Sequence, residues 1–162
     1  MSAAPFLAIL GDCSGAHVSH MHHPANEKIK YAPTVHWQKL QEGREISLRE
    51  KKPCLVDFAV PMDCDRCDFL QENVYSKEEI VAKINAEFVP ILIDLSGDMT
   101  PEEIALGEKY DFDNDCLMLF LNHEGEVIKD PKGTQMCFAD KIEPEVFMEY
   151  LDYVAKEYVP EK

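Results

Sequence analysis

The sequence predicts an α/β fold, a mixed sheet of four to five strands flanked by helices on both faces. Three observations carry this expectation. Residues 54–60 form an apolar run broken only by Asp57, the composition of a central strand covered on both sides. A second apolar run, 88–95, follows a helical stretch, so the two make a βαβ unit with parallel strands and a right-handed crossover. A third run, 116–122, leads through a turn into a hairpin and then an amphipathic helix, a ββα unit with antiparallel strands. The length of 162 residues suits one such domain with an extension.

In chain order, residues 1–33 read as an irregular, histidine-containing N-terminal extension and 34–162 as the domain. A helix is expected over 35–41, interrupted by Glu42-Gly43-Arg44 and resumed over 46–51. Lys51-Lys52-Pro53 ends it and opens the first core strand. From Asp63 a helix carries Cys64-Asp65-Arg66-Cys67 and stops near Tyr75. Ser76 and Glu79 have capping-box spacing for the next helix, whose apolar side holds Ile80, Ile84 and Phe88. Thr100-Pro101-Glu102-Glu103 is a second helix start: Thr caps, Pro takes the first turn and Glu103 reaches back. His123-Glu124-Gly125 reads as a hairpin turn into 126–128, and 135–138 as a short strand. Pro144 starts the last helix, with Phe147, Tyr150, Leu151, Val154 and Tyr158 on one face.

Composition excludes several function classes. The formal net charge of −15 opposes binding to nucleic acid and to anionic membrane surfaces. No run is long enough to span a bilayer. The apolar start lacks the basic segment of a signal peptide, and Asp12 before Cys13 makes a poor lipoprotein cleavage site. With Met1 as the true start the protein is expected in the cytoplasm, with the cell envelope or periplasm as the alternative. The six cysteines are even in number, but a chain with 46% hydrophobic residues does not need three disulfides to hold a core.

Chemistry concentrates at Cys64 and Cys67. The first cysteine stands at a helix N-terminus, where unpaired N–H groups and the positive end of the dipole favour thiolate over thiol. The second lies one turn in, within reach of a disulfide. A structural disulfide or half of a zinc site are the simpler alternatives, and the strand–CxxC–helix context favours redox use. His17, His20, His22 and His23 could bind a divalent transition metal, or simply belong to a polar tail.

The element order, with CxxC after the first core strand, resembles the thioredoxin fold. So do the strings Lys52-Pro53-Cys54-Leu55-Val56-Asp57-Phe58, Glu108-Lys109-Tyr110 and Leu117-Met118-Leu119-Phe120. Over about residues 34–158 the chain is similar to the C-terminal thioredoxin-like domain of transmembrane thiol-disulfide interchange proteins. The resemblance implies a thiol-disulfide oxidoreductase without cofactor, acting on a protein dithiol or disulfide. Cys64 would attack, Cys67 would resolve, and Asp57 would be the buried acid that helps deprotonate the second cysteine.

The chain departs from that family at several places, among them one extra residue, Pro61, between Asp57 and Cys64, which bears on the role carried over to Asp57. Asp63 replaces the usual Trp, and a carboxylate beside a thiol disfavours the thiolate. Asp65-Arg66 replaces Gly-Pro, with Arg66 partly offsetting the neighbouring acids. Cys116 maps onto the cis-proline that lies against CxxC. Cys137 falls on the last strand, in a segment that borders the active site in the family. Cys64, Cys67, Cys116 and Cys137 together would suit zinc or an iron–sulfur cluster. That alternative makes the chain a non-catalytic subunit or assembly factor, docked on a larger complex through its N-terminal extension. Cys116 and Cys137 as buried small hydrophobes is the plainest reading.

Overall fold

The computed structural model describes residues 30–60, 63–112 and 116–158. Across them the chain runs α1 (Leu40–Glu50), β1 (Cys54–Ala59), α2 (Asp65–Asn73), α3 (Glu78–Glu87), β2 (Val89–Asp94), α4 (Pro101–Lys109), β3 (Leu117–Leu121), β4 (Cys137–Phe138) and α5 (Pro144–Glu157). The sheet order is β2-β1-β3-β4. β1 is parallel to β2 and antiparallel to β3, and β3 is antiparallel to β4. This is the expected mixed sheet, with four strands among the described residues. No helix among them is long and apolar enough to cross a membrane.

Every residue of β1 is buried, Asp57 included, as the otherwise apolar composition requires of a strand covered on both faces. Side chains alternate between the faces, so the register assigns each residue to one of two cores. Leu55 and Ala59 of β1 join Met118 and Phe120 of β3 under Leu70, Ile80, Ile84, Phe147, Leu151 and Val154, contributed by α2, α3 and α5. Cys54, Val56 and Phe58 join Leu117, Leu119 and Leu121 against Leu40 of α1 and Leu106 of α4. Asp57 shares its face with Leu55 and Ala59, opposite Met118 in the β1–β3 register. Tyr31 and Ala32, just ahead of residue 34, pack in the first of these cores.

The expected helix over 35–41 and its break at Gly43 are not what forms. Gln38 instead makes a parallel bridge to Ile91, with its N–H donating to Pro90 O (2.9 Å) and its carbonyl accepting from Leu92 N (3.1 Å). Helix α1 then runs unbroken through Gly43. A Cβ there would meet Ile91 Cγ1 at 2.5 Å, so the glycine marks a close helix–strand approach and not an interruption. The capping box expected at Ser76 is also absent. The Ser76 hydroxyl donates back to Glu72 O at 2.6 Å, and Lys77 is the N-cap of α3 without a side-chain bond. The box at α4 is present: Glu103 N donates to Thr100 Oγ1 (3.2 Å) and Thr100 N to Glu103 Oε2 (2.9 Å). In the hairpin after β3 the organising residue is Asn122, whose Oδ1 accepts from Glu124 N and Glu126 N at 3.0 Å each. Residues 126–128 run antiparallel to the end of β3 through the Leu121–Val127 bridge, flanked by Asn122 N to Glu126 O and Ile128 N to Phe120 O at 2.8 Å each, without forming a strand of their own.

Thr100→Ala should therefore cost about 1 kcal/mol in urea unfolding, the usual loss for an N-cap. Ser76→Ala should cost less than half of that; equal losses would contradict the assignment of only one as a cap.

Candidate functional site

Cys64 is the N-cap residue of α2, and Cys67 N donates to its Sγ at 3.1 Å. Asp63 supplies the turn before it, at φ 56°, a left-handed conformation that Asp tolerates better than most residues. Cys64 and Cys67 are joined by a disulfide. Cys64 is half-buried, whereas Cys67 is 1% exposed.

Cys116 joins them because of the sheet. The antiparallel register pairs Phe58 at the end of β1 with Leu117 at the start of β3. The residue before Leu117 thus stands beside the chain that leaves β1 toward Cys64. Cys116 Sγ lies 3.2 Å from Cys64 Sγ and 3.4 Å from Cys67 Sγ. Cys116 stands outside that disulfide, in contact with both of its sulfurs. The three sulfurs lie within 4.8 Å of one another.

Cys137 does not reach this group. It pairs with Leu119 in the sheet and points with it into the opposite core, and its sulfur is already in a disulfide. The expected four-sulfur set is therefore three sulfurs among the described residues. His17, His20, His22, His23 and Cys13 lie outside those residues.

Beneath the cysteines is a charged network that the sequence did not announce. Asp57 is fully buried and accepts from Tyr75 OH (2.8 Å), Tyr31 OH (3.0 Å) and Arg66 Nη1 (3.3 Å). Arg66, expected to offset part of the acidic charge around CxxC, turns inward and pairs with Asp57. Burial alone would lower the proton affinity of its guanidinium. Asp57, then the two tyrosines and Cys116, raise it, and the net shift is upward. Its Nε and Nη2 are buried without a hydrogen-bond partner among the described residues. Burial, followed by the Asp57 charge, pushes both tyrosine hydroxyls well above their ordinary pKa. Trp37 fixes the wall behind them, donating from Nε1 to Tyr31 O (3.0 Å) and stacking on the Tyr31 ring. Tyr31 and Tyr75 lie 26 and 18 residues from Asp57, with no spacing or motif that links them to it.

No protein-family model and no curated protein matches the chain. Solved structures do. One, named DsbH Oxidoreductase, superposes with a TM-score of 0.58 at 16% identity, covering 89% of this chain and 96% of that one. A thioredoxin from Thermus thermophilus gives 0.56 at 17% identity, over 75% of this chain and 87% of its own. The reduced C-terminal domain of Neisseria meningitidis DsbD gives 0.55 at 17% identity, over 71% and 93%. The chain has the thioredoxin fold. The fold resemblance expected from the sequence is met. In this thioredoxin fold the CxxC pair opens α2 directly after the central strand, and Cys116 faces it from the start of β3.

Removing one partner of a buried ion pair strands the other. Asp57→Ala should lower unfolding free energy by about 3–5 kcal/mol, while the double change Asp57→Leu/Arg66→Met should recover much of it. Urea titration of the three proteins decides; a double variant as unstable as Asp57→Ala would contradict the pairing. The raised tyrosines set an alkaline limit. Above the ordinary tyrosine value of 10.0 the unfolded state loses protons that the folded state keeps, so stability falls as pH rises. Tyr75→Phe should flatten that slope above pH 10, read from unfolding midpoints across an alkaline series.

Proposed function

We propose that this chain is a thiol-disulfide oxidoreductase that exchanges with a protein dithiol or disulfide through Cys64 and Cys67. The observation that carries the reading is a half-buried cysteine at the N-cap of α2, bonded to a buried one a turn later. In the reduced protein the Cys64 thiolate is favoured by the helix N-terminus and by the Cys67 N–H on its sulfur. It attacks one sulfur of a partner disulfide, and the partner's other sulfur leaves as thiolate. Cys67 then attacks Cys64 Sγ, closes the Cys64–Cys67 disulfide and releases the partner's second thiol. Two electrons pass from protein to partner; the same steps reversed oxidise a partner dithiol. Asp57 acts here as a positioning residue that holds Arg66 inside the site, since three donors already engage its carboxylate.

A second reading rests on the third sulfur. Thiolates of Cys64, Cys67 and Cys116 would suit zinc, or an iron–sulfur cluster with one outside ligand. The chain would then be a non-catalytic subunit or assembly factor, docked on a larger complex through residues 1–33. A cytoplasmic site of action, with the cell envelope as the alternative, belongs to both readings and is tested by fractionation.

Two measurements separate them. Cys64→Ser should abolish reduction of insulin or of a partner disulfide; undiminished turnover would refute the oxidoreductase reading. Untagged protein purified anaerobically should be metal-free and colourless, with Cys64 and Cys67 among the thiols that appear on reduction, identified by alkylation and mass spectrometry. Stoichiometric zinc, or iron with visible absorption, lost in Cys116→Ser, would establish the second reading instead.

A further inference from the structure

Resting on the oxidoreductase reading, we propose that Cys116 is a second resolving thiol, able to discharge the mixed disulfide on Cys64 in place of Cys67. The two inner sulfurs are differently mounted. Cys67 is one helical turn from Cys64 on the same helix, and Cys116 approaches from the sheet. Cys116 Sγ nonetheless lies only 3.2 Å from Cys64 Sγ, and Cys116 is the less buried of the two.

The geometry also fixes the stage at which Cys116 acts. Its sulfur is nearly equidistant from Cys64 and Cys67, at 3.2 and 3.4 Å, so it sits beside the closed disulfide and not along its axis. Displacement at sulfur runs in line with the bond that breaks, so attack on the closed disulfide is poorly aligned. In the mixed disulfide the situation differs. The partner's sulfur is then bonded to Cys64 Sγ, Cys67 is released from it, and Cys116 Sγ stands within 3.2 Å of the sulfur to be attacked, able to align with the Cys64–partner bond. Cys116 gives its proton to water, its thiolate attacks Cys64 Sγ, a Cys64–Cys116 bond forms, and the bond from Cys64 to the partner breaks. The partner leaves as thiolate and takes up a proton from water. The electron count equals that of resolution by Cys67. Either product keeps one inner cysteine as a thiol, so the oxidised site still contains a nucleophile.

The test uses the full chain, reduced and then mixed with oxidised glutathione. Glutathione adducts and disulfide-linked peptides are followed by mass spectrometry after acid quenching. In Cys67→Ser the adduct on Cys64 should form and then decay, leaving a Cys64–Cys116 link. In the double variant Cys67→Ser/Cys116→Ser it should persist at least about tenfold longer, because no inner thiol remains to displace it. Cys67→Ala, alone and with Cys116→Ser, repeats the comparison with an apolar replacement if serine at this buried position prevents folding. An adduct as long-lived in the single variant as in the double variant would overturn the role of Cys116 and leave the oxidoreductase reading intact. Failure of even the double variant to form an adduct on Cys64 would overturn both.

Discussion

The structure turns on one buried carboxylate. Asp57 sits in the middle of the central strand, with no exposure to water, and a lone ion there would cost several kcal/mol. It is tolerable because Tyr31, Arg66 and Tyr75 all donate to it. Hydrogen bonds to a charged group are worth about 1.5–3 kcal/mol each, enough for three together to offset that burden. These donors come from the segment ahead of α1, from between the two cysteines, and from just beyond α2. Satisfying the carboxylate therefore ties the N-terminal segment, the CxxC turn and the end of α2 to the sheet.

That constraint reaches the sulfurs. Arg66 is drawn under the site, so the residue between the cysteines is a buried cation and not a solvated one. Asp63, Asp65 and Asp68 are all exposed. Exposed charges act through water, at about 1 kcal/mol for a pair 4 Å apart, whereas a buried charge is screened far less. Arg66 is itself paired with the buried Asp57 at 3.3 Å, so it reaches the thiols as one half of a buried ion pair, while the three exposed acids act on them only through water. The N–H groups at the start of α2 add to the positive side. Cys116 brings a third sulfur into this field, a consequence of where β3 begins relative to the end of β1.

Much of this was legible along the chain where the signal was local. The apolar runs became β1, β2 and β3, and the Thr100–Glu103 spacing became a closed capping box. The same spacing at Ser76 did not, because α3 starts one residue later and the hydroxyl finds the Glu72 carbonyl. Gly43 read as a helix breaker when it was a point of contact with Ile91. In both cases the deciding neighbour belonged to another element, beyond the reach of a local pattern.

The sequence by itself determined the α/β class, the central strand carrying Asp57, and a cysteine pair at a helix start, since each follows from periodicity and spacing within a few residues. Only the tertiary structure decided which cysteines meet and what the buried acid binds. Strand register carries Cys116 to the pair, while the pairing of Cys137 with Leu119 sends it to the other face. A sheet alternates faces at every residue, so one step of register separates a sulfur in the site from one in the opposite core. Tyr31 and Tyr75 meet at Asp57 for a related reason: a buried carboxylate must be satisfied by whatever donors the packing brings to it.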